Sequence, residues 1–391
     1  MNILFLIYHG FSEVSGISKK IHYQINGFRQ LGHKVYVCTY SIREDGHRVR
    51  FIDDKPLQDF GNGRMAAMKK RCCYEAVVRF AIENNIEFVY ARSFHNANPF
   101  TIKMFKTFRR AGIKSVIEIP TYPYDQEYKD SGKKELLELA IDKMFRKKLA
   151  RQTDAIVTFT QEKEIFGQRT IRISNGIELG AIPLKSSWQT ANKEGLNFIG
   201  VAEVHYWHGF DRFIAGIGEY YKNGGTRQLT FHVVGGVADG DMYRSEGNIG
   251  FARLIEKYDI KDKVIFHGQK FGDELNELFE CADFAVASLG RHRSGITYIK
   301  TLKNREYAAR GLGFIYSEID EDFEDKPYII KAPADDTPIN IEQVIDFIDN
   351  MDITPDEIRK SIYDLTWEKQ MEKVINEVNT INTLNKNNKK D

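Results

Sequence analysis

Short apolar runs alternate with helical segments along this chain, and the alternation happens twice. In the first series the apolar runs fall at residues 3–7, 35–39, 88–90, 115–119 and 155–159, with helical patterning near 19–31, 65–84, 100–111 and 134–150. A run that is apolar at consecutive positions has no solvent face, so its strand needs cover on both sides; parallel sheets with crossover helices provide it. The second series repeats the plan, with runs at 197–201, 230–234, 264–266, 284–287 and 314–316 and helices near 210–222, 248–258, 272–280 and 297–310. The expected fold is therefore α/β, two Rossmann-like doubly wound domains facing each other across a cleft lined by the carboxyl ends of both sheets. A length of 391 residues fits two cores better than one. The expected division is residues 1–170, 171–366 and a closing segment 367–391, with a polar, aperiodic loop at about 175–194 near the junction. The closing segment reads as a helix near 367–384 with a polar Asn/Lys tail.

Composition narrows the function. With 42% hydrophobic and 28% charged residues, the chain is neither disordered nor fibrous. A net charge of +1 argues against wholesale nucleic-acid binding. The charge is unevenly placed: residues 1–165 hold 28 Lys and Arg against 19 Asp and Glu, and the remainder 28 against 36, so the halves carry +9 and −8. Cys38, Cys72, Cys73 and Cys281 match neither a disulfide framework nor a zinc site. The run 3–7 lacks the basic flank and cleavage site of a signal peptide, and no stretch approaches the roughly 20 apolar residues of a membrane span. A cytoplasmic protein is expected.

Candidate chemistry sits in loops that follow strands. The first, Tyr8 to Ile17, lacks the G-x-G-x-x-G spacing of a dinucleotide fingerprint; Gly16 either lets a phosphate or sugar approach a helix N-terminus or only shapes a turn. Val233-Val234-Gly235-Gly236 ends a strand in two glycines, as where a ligand packs on backbone. Asp239-Gly240-Asp241 superficially matches a metal-holding D-x-D pair, but carboxylates in a glycine-rich loop are more often solvated turn residues, and no metal is expected. The densest constellation is Gly290-Arg291-His292-Arg293-Ser294-Gly295, followed by Lys300, Lys303, Glu306 and Arg310. Lys303 and Glu306 share a helical face, and two guanidiniums are expected at that helix's N-terminus, an arrangement suited to a diphosphate; Glu306 would accept from ribose hydroxyls. In the loop from Val204 to Arg212, His208 is either a phosphate donor or a surface histidine. Two prolines stiffen Glu118-Ile119-Pro120-Thr121-Tyr122-Pro123-Tyr124-Asp125, presenting Thr121, Tyr122 or Asp125 to an acceptor or merely turning the chain. The basic segments 103–110 and 143–148 mix cations with Phe and Met and read either as lipid-headgroup-binding faces or as solvated faces over a core stripe.

In order and spacing these motifs resemble the GT-B glycosyltransferases, specifically the retaining family 4 (glycosyl transferases group 1), over nearly the whole chain. The resemblance rests on Asn2-Ile3-Leu4-Phe5-Leu6, Gly16, Leu31-Gly32-His33-Lys34-Val35, Ser174-Asn175-Gly176-Ile177-Glu178, Val233 to Gly236, Val264-Ile265-Phe266-His267-Gly268, Ala282-Asp283 and Glu306-Tyr307-Ala308-Ala309-Arg310-Gly311. The chain departs from the family where one of its paired glutamates is replaced by Tyr298, its Lys-Gly by His208-Gly209, an arginine by Ala202, and an acceptor-side histidine by Pro120. The diphosphate contacts are assigned instead to Arg291, Arg293, Lys300 and Lys303.

The resemblance implies transfer of a sugar from a nucleoside-diphosphate sugar to the hydroxyl of a saccharide, polysaccharide or lipid-linked acceptor, with retained configuration and without a metal or cofactor. His208, Lys303 and Glu306 would act at the reacting centre; Gly16, Gly235, Gly268, Arg291, Arg293, Gly295 and Lys300 would hold the donor; Thr121, Tyr122 and Asp125 would face the acceptor. The segment from Gly268 to Lys270 would meet the base. A basic amino-terminal domain facing the inner leaflet of the plasma membrane would fit the charge split, and the helix after Trp367 would cross back to the first domain. Rival readings are a nucleotide-sugar 2-epimerase of the same fold and a non-catalytic nucleotide-sugar binder.

Overall fold

A computed structural model describes residues 1–11, 16–128, 132–186, 194–237, 242 and 250–387. The Asp239-Gly240-Asp241 motif lies outside the described residues. The chain forms two compact units, Met1–Ser174 with Trp367–Asp391, and Asn175–Thr366.

Unit 1 carries β1 (Asn2–Leu6), β2 (Lys34–Ile42), β3 (Arg48–Ile52), β4 (Lys55–Asp59), β5 (Phe88–Arg92), β6 (Lys114–Ile119), β7 (Ala155–Thr158), β8 (Glu164–Ile165) and β9 (Gln168–Arg172). They form one sheet in the order β4-β3-β2-β1-β5-β6-β7-β9-β8. Strands β2, β1, β5, β6, β7 and β9 run parallel. The edges β3, β4 and β8 are antiparallel hairpin strands, which the alternation of long runs and helices does not announce. Asp53 and Asp54, both at positive φ, make the tight turn between β3 and β4. Arg50 in β3 is buried and donates to the carbonyls of Lys70 (3.0 Å) and Cys73 (2.7 Å), satisfying the end of α2 (Gly63–Cys72).

The unit 1 helices are α1 (Gly16–Gln30), α2, α3 (Glu75–Glu83), α4 (Pro99–Arg110) and α5 (Lys133–Ala150). Asn98 caps α4, accepting from the Phe100 and Thr101 amides, with Pro99 at the first helical position. The apolar half of the basic segment 103–110 is core: Met104, Phe105 and Phe108 are buried, with the cations outside. The last helix, Trp367–Asn387, belongs to this unit. Trp367, Met371, Val374 and Val378 pack with Ile21, Ile25 and Phe28 of α1 in one apolar cluster, and Gln370 accepts from the Ser174 amide at 2.7 Å.

Unit 2 is an all-parallel sheet of β10 (Gly195–Val201), β11 (Gln228–Val234), β12 (Val264–Gly268), β13 (Phe284–Val286), β14 (Phe314–Tyr316) and β15 (Ile329–Lys331), ordered β12-β11-β10-β13-β14-β15. Helices α6 (Phe210–Lys222), α7 (Phe251–Tyr258), α8 (Gly272–Cys281), α9 (Leu302–Ala309), α10 (Ile341–Asp349) and α11 (Pro355–Lys360) cover it. Successive strands run outward from β10 in both directions, so the loops after β10 and β13 diverge at a topological switch point, where open α/β sheets place ligands. No described helix is long and apolar enough to cross a membrane.

Candidate functional site

The two loops at the unit 2 switch point are locked together. After β10 the chain makes a short 3-10 turn, Tyr206–His208, and after β13 another, Arg291–Ser294. Gly209 joins the first turn to α6 at φ 67°, and a Cβ there would lie 2.5 Å from the Gly290 nitrogen. Only glycine allows this approach. The Leu289 amide donates to the His208 carbonyl at 2.8 Å. Arg212, buried in α6, pins the second loop by donating to the carbonyls of Leu289 and Pro333.

This lock brings His208, Arg291 and Lys303 together. His208 Nδ1 accepts from the His205 amide at 3.0 Å, so the neutral ring carries its proton on Nε2. Burial first, then the charges of Lys303 and Arg291, push its pKa down to about 2; it remains a neutral donor. Lys303 projects from the first turn of α9. Its ammonium is buried, has no hydrogen-bond partner among the described residues, and is lowered to about 7 by burial and then by Arg291. Arg291 Nε is likewise buried and unpartnered.

Sequence reasoning missed the fourth member. Glu318 follows β14, is 2% exposed, and neither carboxylate oxygen accepts a hydrogen bond from another described residue. Burial raises its pKa to about 7 against the opposing pull of its own backbone amide and then of Arg291 and Lys303. Seven of the eleven buried, unpartnered polar side-chain atoms among the described residues belong to Ser288, Arg291, His292, Lys303, Asn304 and Glu318. Folded proteins pair nearly all such atoms internally or with water, so their concentration in one place points to a ligand. The arrangement is a buried cluster of two cations and a carboxylate with one neutral N–H donor, and its cations suit a compact anion.

The other expected contacts are placed differently. Arg293 is committed to Asp211 by two bonds of 2.8 Å and to Asp336 at 2.7 Å, so it braces the loop and is not free for phosphate. Lys300 Nζ lies 3.7 Å from both Glu321 and Asp322. The guanidiniums do not sit in the first turn of a helix: Arg291 and Arg293 occupy the separate 3-10 turn, while α9 begins at Leu302 and is capped by Thr301, which accepts from the Asn304 amide at 3.3 Å. Glu306 Oε1 accepts two bonds from Arg310, at 3.0 and 3.2 Å. Gly295 closes the 3-10 turn in left-handed conformation. Gly235 is needed for the chain's own backbone, since a Cβ would strike the Ala202 carbonyl; its amide donates to Gly268 at 2.7 Å, and Gly268 itself faces open space.

In unit 1, Gly16 opens α1. Thr121 is exposed. The Tyr122 ring packs edge-on against Phe166. Asp125 is held by Arg146 (2.7 Å) and Lys143 (3.2 Å), and the Arg146 bond first of all draws its pKa down; its charge is already balanced. Nearby, Arg92, Asn96, Tyr124, Asp142 and Arg146 help line a cavity of about 30 Å³, room for about one water. Among the described residues no group of three or more His, Cys, Asp or Glu is arranged to hold a metal ion.

No family model matches the chain, and no curated protein matches it by sequence. Solved structures do. The sucrose-phosphate synthase of Thermosynechococcus elongatus superposes with a TM-score of 0.57 at 13% identity, covering 98% of this chain and 99% of that one. The E. coli trehalose-6-phosphate structure bound with UDP-2-fluoro glucose gives 0.54 at 11%, covering 97% and 99%. The pneumococcal O-GlcNAc transferase GtfA in complex with UDP and GlcNAc gives 0.52 at 11%, also covering 97% and 99%. Identities this low speak for architecture alone, and the architecture they show is that of the GT-B glycosyltransferases: this chain has the GT-B fold.

Proposed function

We propose that the chain is a glycosyltransferase that takes a sugar from a nucleoside diphosphate and passes it to an acceptor hydroxyl, with the donor diphosphate held in unit 2 by Arg291, Lys303 and His208. The observation that carries this reading is the Lys303 ammonium, buried beside a second cation without a partner. An unpaired buried charge is costly, and a diphosphate oxygen relieves that cost while restoring the lysine's proton. As the glycosidic bond breaks, negative charge grows on the β-phosphate. Cations fixed there stabilise the transition state more than the ground state, and the His208 Nε2–H adds a neutral donor. Glu306 Oε2 would accept from the ribose hydroxyls, its Oε1 being held by Arg310.

Retention of configuration, a saccharide or lipid-linked acceptor bound by unit 1, and the absence of any required metal belong to the same reading, on the strength of the family resemblance. The UDP and UDP-sugar complexes of structures sharing the fold make UDP-sugars the first probes. Contact with an anionic membrane is supported by α5, which exposes Leu137, Ile141 and Met144 among Lys133, Lys134, Lys143, Lys147 and Lys148. Co-sedimentation with phosphatidylglycerol vesicles and not with phosphatidylcholine vesicles is the expected result, and equal recovery with both would remove the membrane from the proposal.

The deciding experiment is thermal unfolding with UDP, GDP, ADP and dTDP. A diphosphate that binds the native state raises its apparent stability. Lys303→Met should weaken that binding about 100-fold, as expected for loss of a charge-assisted contact. No shift with any nucleotide, or an undiminished shift in Lys303→Met, would refute the site.

A further inference from the structure

We propose that Glu318 reads the transferred sugar, its carboxylate accepting hydrogen bonds from that sugar's hydroxyl groups. The inference rests on the diphosphate site proposed above and extends it to the group next to the phosphates.

Three observations lead to it. Glu318 is 2% exposed and neither of its oxygens accepts a hydrogen bond from another described residue, its own amide being the one backbone donor acting on it, so the fold leaves most of the carboxylate's roughly four acceptor positions unfilled. The carboxylate faces Arg291 and Lys303 electrostatically without hydrogen-bonding to either. Once a diphosphate takes those two cations, Glu318 sits beside an anion with no counter-charge. What satisfies it then must donate hydrogen bonds without being an anion, and the sugar carried on the β-phosphate presents O–H groups within reach of that phosphate.

Backbone pairing explains its location. The segment before α9 pairs with the segment after β14: the Ile319 amide donates to the Thr297 carbonyl at 2.8 Å, and the Ile299 amide to the Ile319 carbonyl at 3.0 Å. Tyr298 and Ile319 are thereby bridged, so Glu318 lies next to the stretch containing Tyr298, which supplies no carboxylate. On the other side the Ser317 amide donates to the Ser288 carbonyl at 3.0 Å, tying Glu318 to the end of β13 and the Arg291 loop. A carboxylate contributed by β14 thus joins the cluster built by β10, β13 and α9.

The experiment compares each bare diphosphate with its sugar conjugates by calorimetry: UDP with UDP-glucose, UDP-galactose and UDP-N-acetylglucosamine, GDP with GDP-mannose, ADP with ADP-glucose, and dTDP with dTDP-glucose. In Glu318→Gln the bare diphosphate should bind at least as well as in the parent, because a like charge has gone. The best-bound sugar conjugate should lose about 10- to 100-fold relative to its diphosphate, the worth of hydrogen bonds to a charged acceptor. Glu318→Asp keeps the charge but withdraws it by one methylene, and the same relative loss is expected there. An unchanged ratio in both variants would overturn the inference. So would a Glu318→Gln protein that fails to fold while Glu318→Asp folds and keeps the sugar preference, since the carboxylate would then be a structural counter-charge. If the parent binds none of these nucleotides, the diphosphate reading fails first and takes this one with it; if the parent binds them and the ratio does not move, only the assignment of Glu318 fails.

Discussion

Among the described residues each unit buries one glutamate near the carboxyl end of a parallel strand, and the two are treated in opposite ways. Glu118 on β6 accepts from Gln24 (2.6 Å), Tyr90 (2.5 Å) and Arg92 (2.5 Å); burial would raise its pKa, but Arg92, Lys20 and those hydrogen bonds outweigh it and hold the group low. Glu318 accepts no hydrogen bond from any other described residue, only its own amide opposes burial before the nearby cations do, and burial wins. Burial is nearly equal, so the contrast lies in the partners. Unit 1 satisfies its carboxylate within the fold, which marks Glu118 as structural. Unit 2 leaves Glu318 unsatisfied beside an unsatisfied lysine, which marks that site as one completed from outside.

The largest effect expected is on stability. Glu118→Ala strands a buried guanidinium and should cost about 3–5 kcal/mol, lowering the urea midpoint sharply. Glu318→Gln removes a carboxylate the fold does not satisfy and should be neutral or stabilising. Comparable losses in both variants would erase the contrast.

Next in size is the dependence on pH. Glu318 faces Arg291, Lys303 and Asp320. Its folded value, about 7, lies above the ordinary 4.5, so the stability it contributes is complete below pH 4.5 and lost as pH rises through 7. Lys303 faces Arg291, Glu318 and His208, and its folded value of about 7 lies below 10.5. Its contribution is complete above pH 10.5 and lost as pH falls through 7. Together they predict a trough near neutrality, the acid limb worth up to about 3 kcal/mol and the alkaline limb up to about 5 kcal/mol. Glu118 has the opposite sign to Glu318: its stability is present above 4.5 and lost in acid. Urea titrations across pH 4–10 should show the acid limb vanish in Glu318→Gln and the alkaline limb shrink with bound diphosphate; a flat profile through neutrality would mean the pair is solvated.

The units also differ in how their glycines are used. Gly112, after α4, stands at φ 76° with nothing within 4 Å of a Cβ, whereas Gly209 stands at φ 67° with Gly290 in the way. Gly112→Ala should cost about 1 kcal/mol, the left-handed conformation alone. Gly209→Ala should cost about 2 kcal/mol or more and also weaken nucleotide binding, because it separates the loops that bring His208 to Arg291. Equal melting temperatures for the two variants would show that the loops yield.

How much of this was legible in the sequence follows from range. The central parallel strands are read directly, because burial on both faces writes itself as consecutive apolar residues. Strands β3 and β4 are not, because Arg48, Arg50, Lys55 and Asp59 interrupt them with charge and the burial of Arg50 depends on carbonyls at the end of α2. Lys303 and Arg291 stand out as cations in a glycine-punctuated loop after a strand. Their neighbours Arg293 and Lys300 look identical in sequence, and only distant carboxylates, at Asp211, Asp336, Glu321 and Asp322, remove them from the site. Glu318 was invisible for the converse reason. It opens an acidic run with Asp320, Glu321 and Asp322 that reads as a solvated surface, and nothing local reveals that pairing with residues 297–299 buries its first member.

The smallest effect expected separates two ways of holding an anion. If the amides at the start of α9 held the diphosphate, the Thr301 cap would compete with it, and Thr301→Ala would strengthen nucleotide binding. If side chains hold it, the cap is only a cap. Thr301 accepts one amide proton, from Asn304, while Asn98 in unit 1 accepts two and is answered by Thr101. Thr301→Ala should therefore cost about 1 kcal/mol of stability, somewhat less than Asn98→Ala, and change UDP affinity by less than about twofold. Binding that tightened clearly in Thr301→Ala would move the anion from the Lys303 ammonium to the helix backbone, and the contrast between a satisfied and an unsatisfied unit would then have to be drawn at amides instead of at side chains.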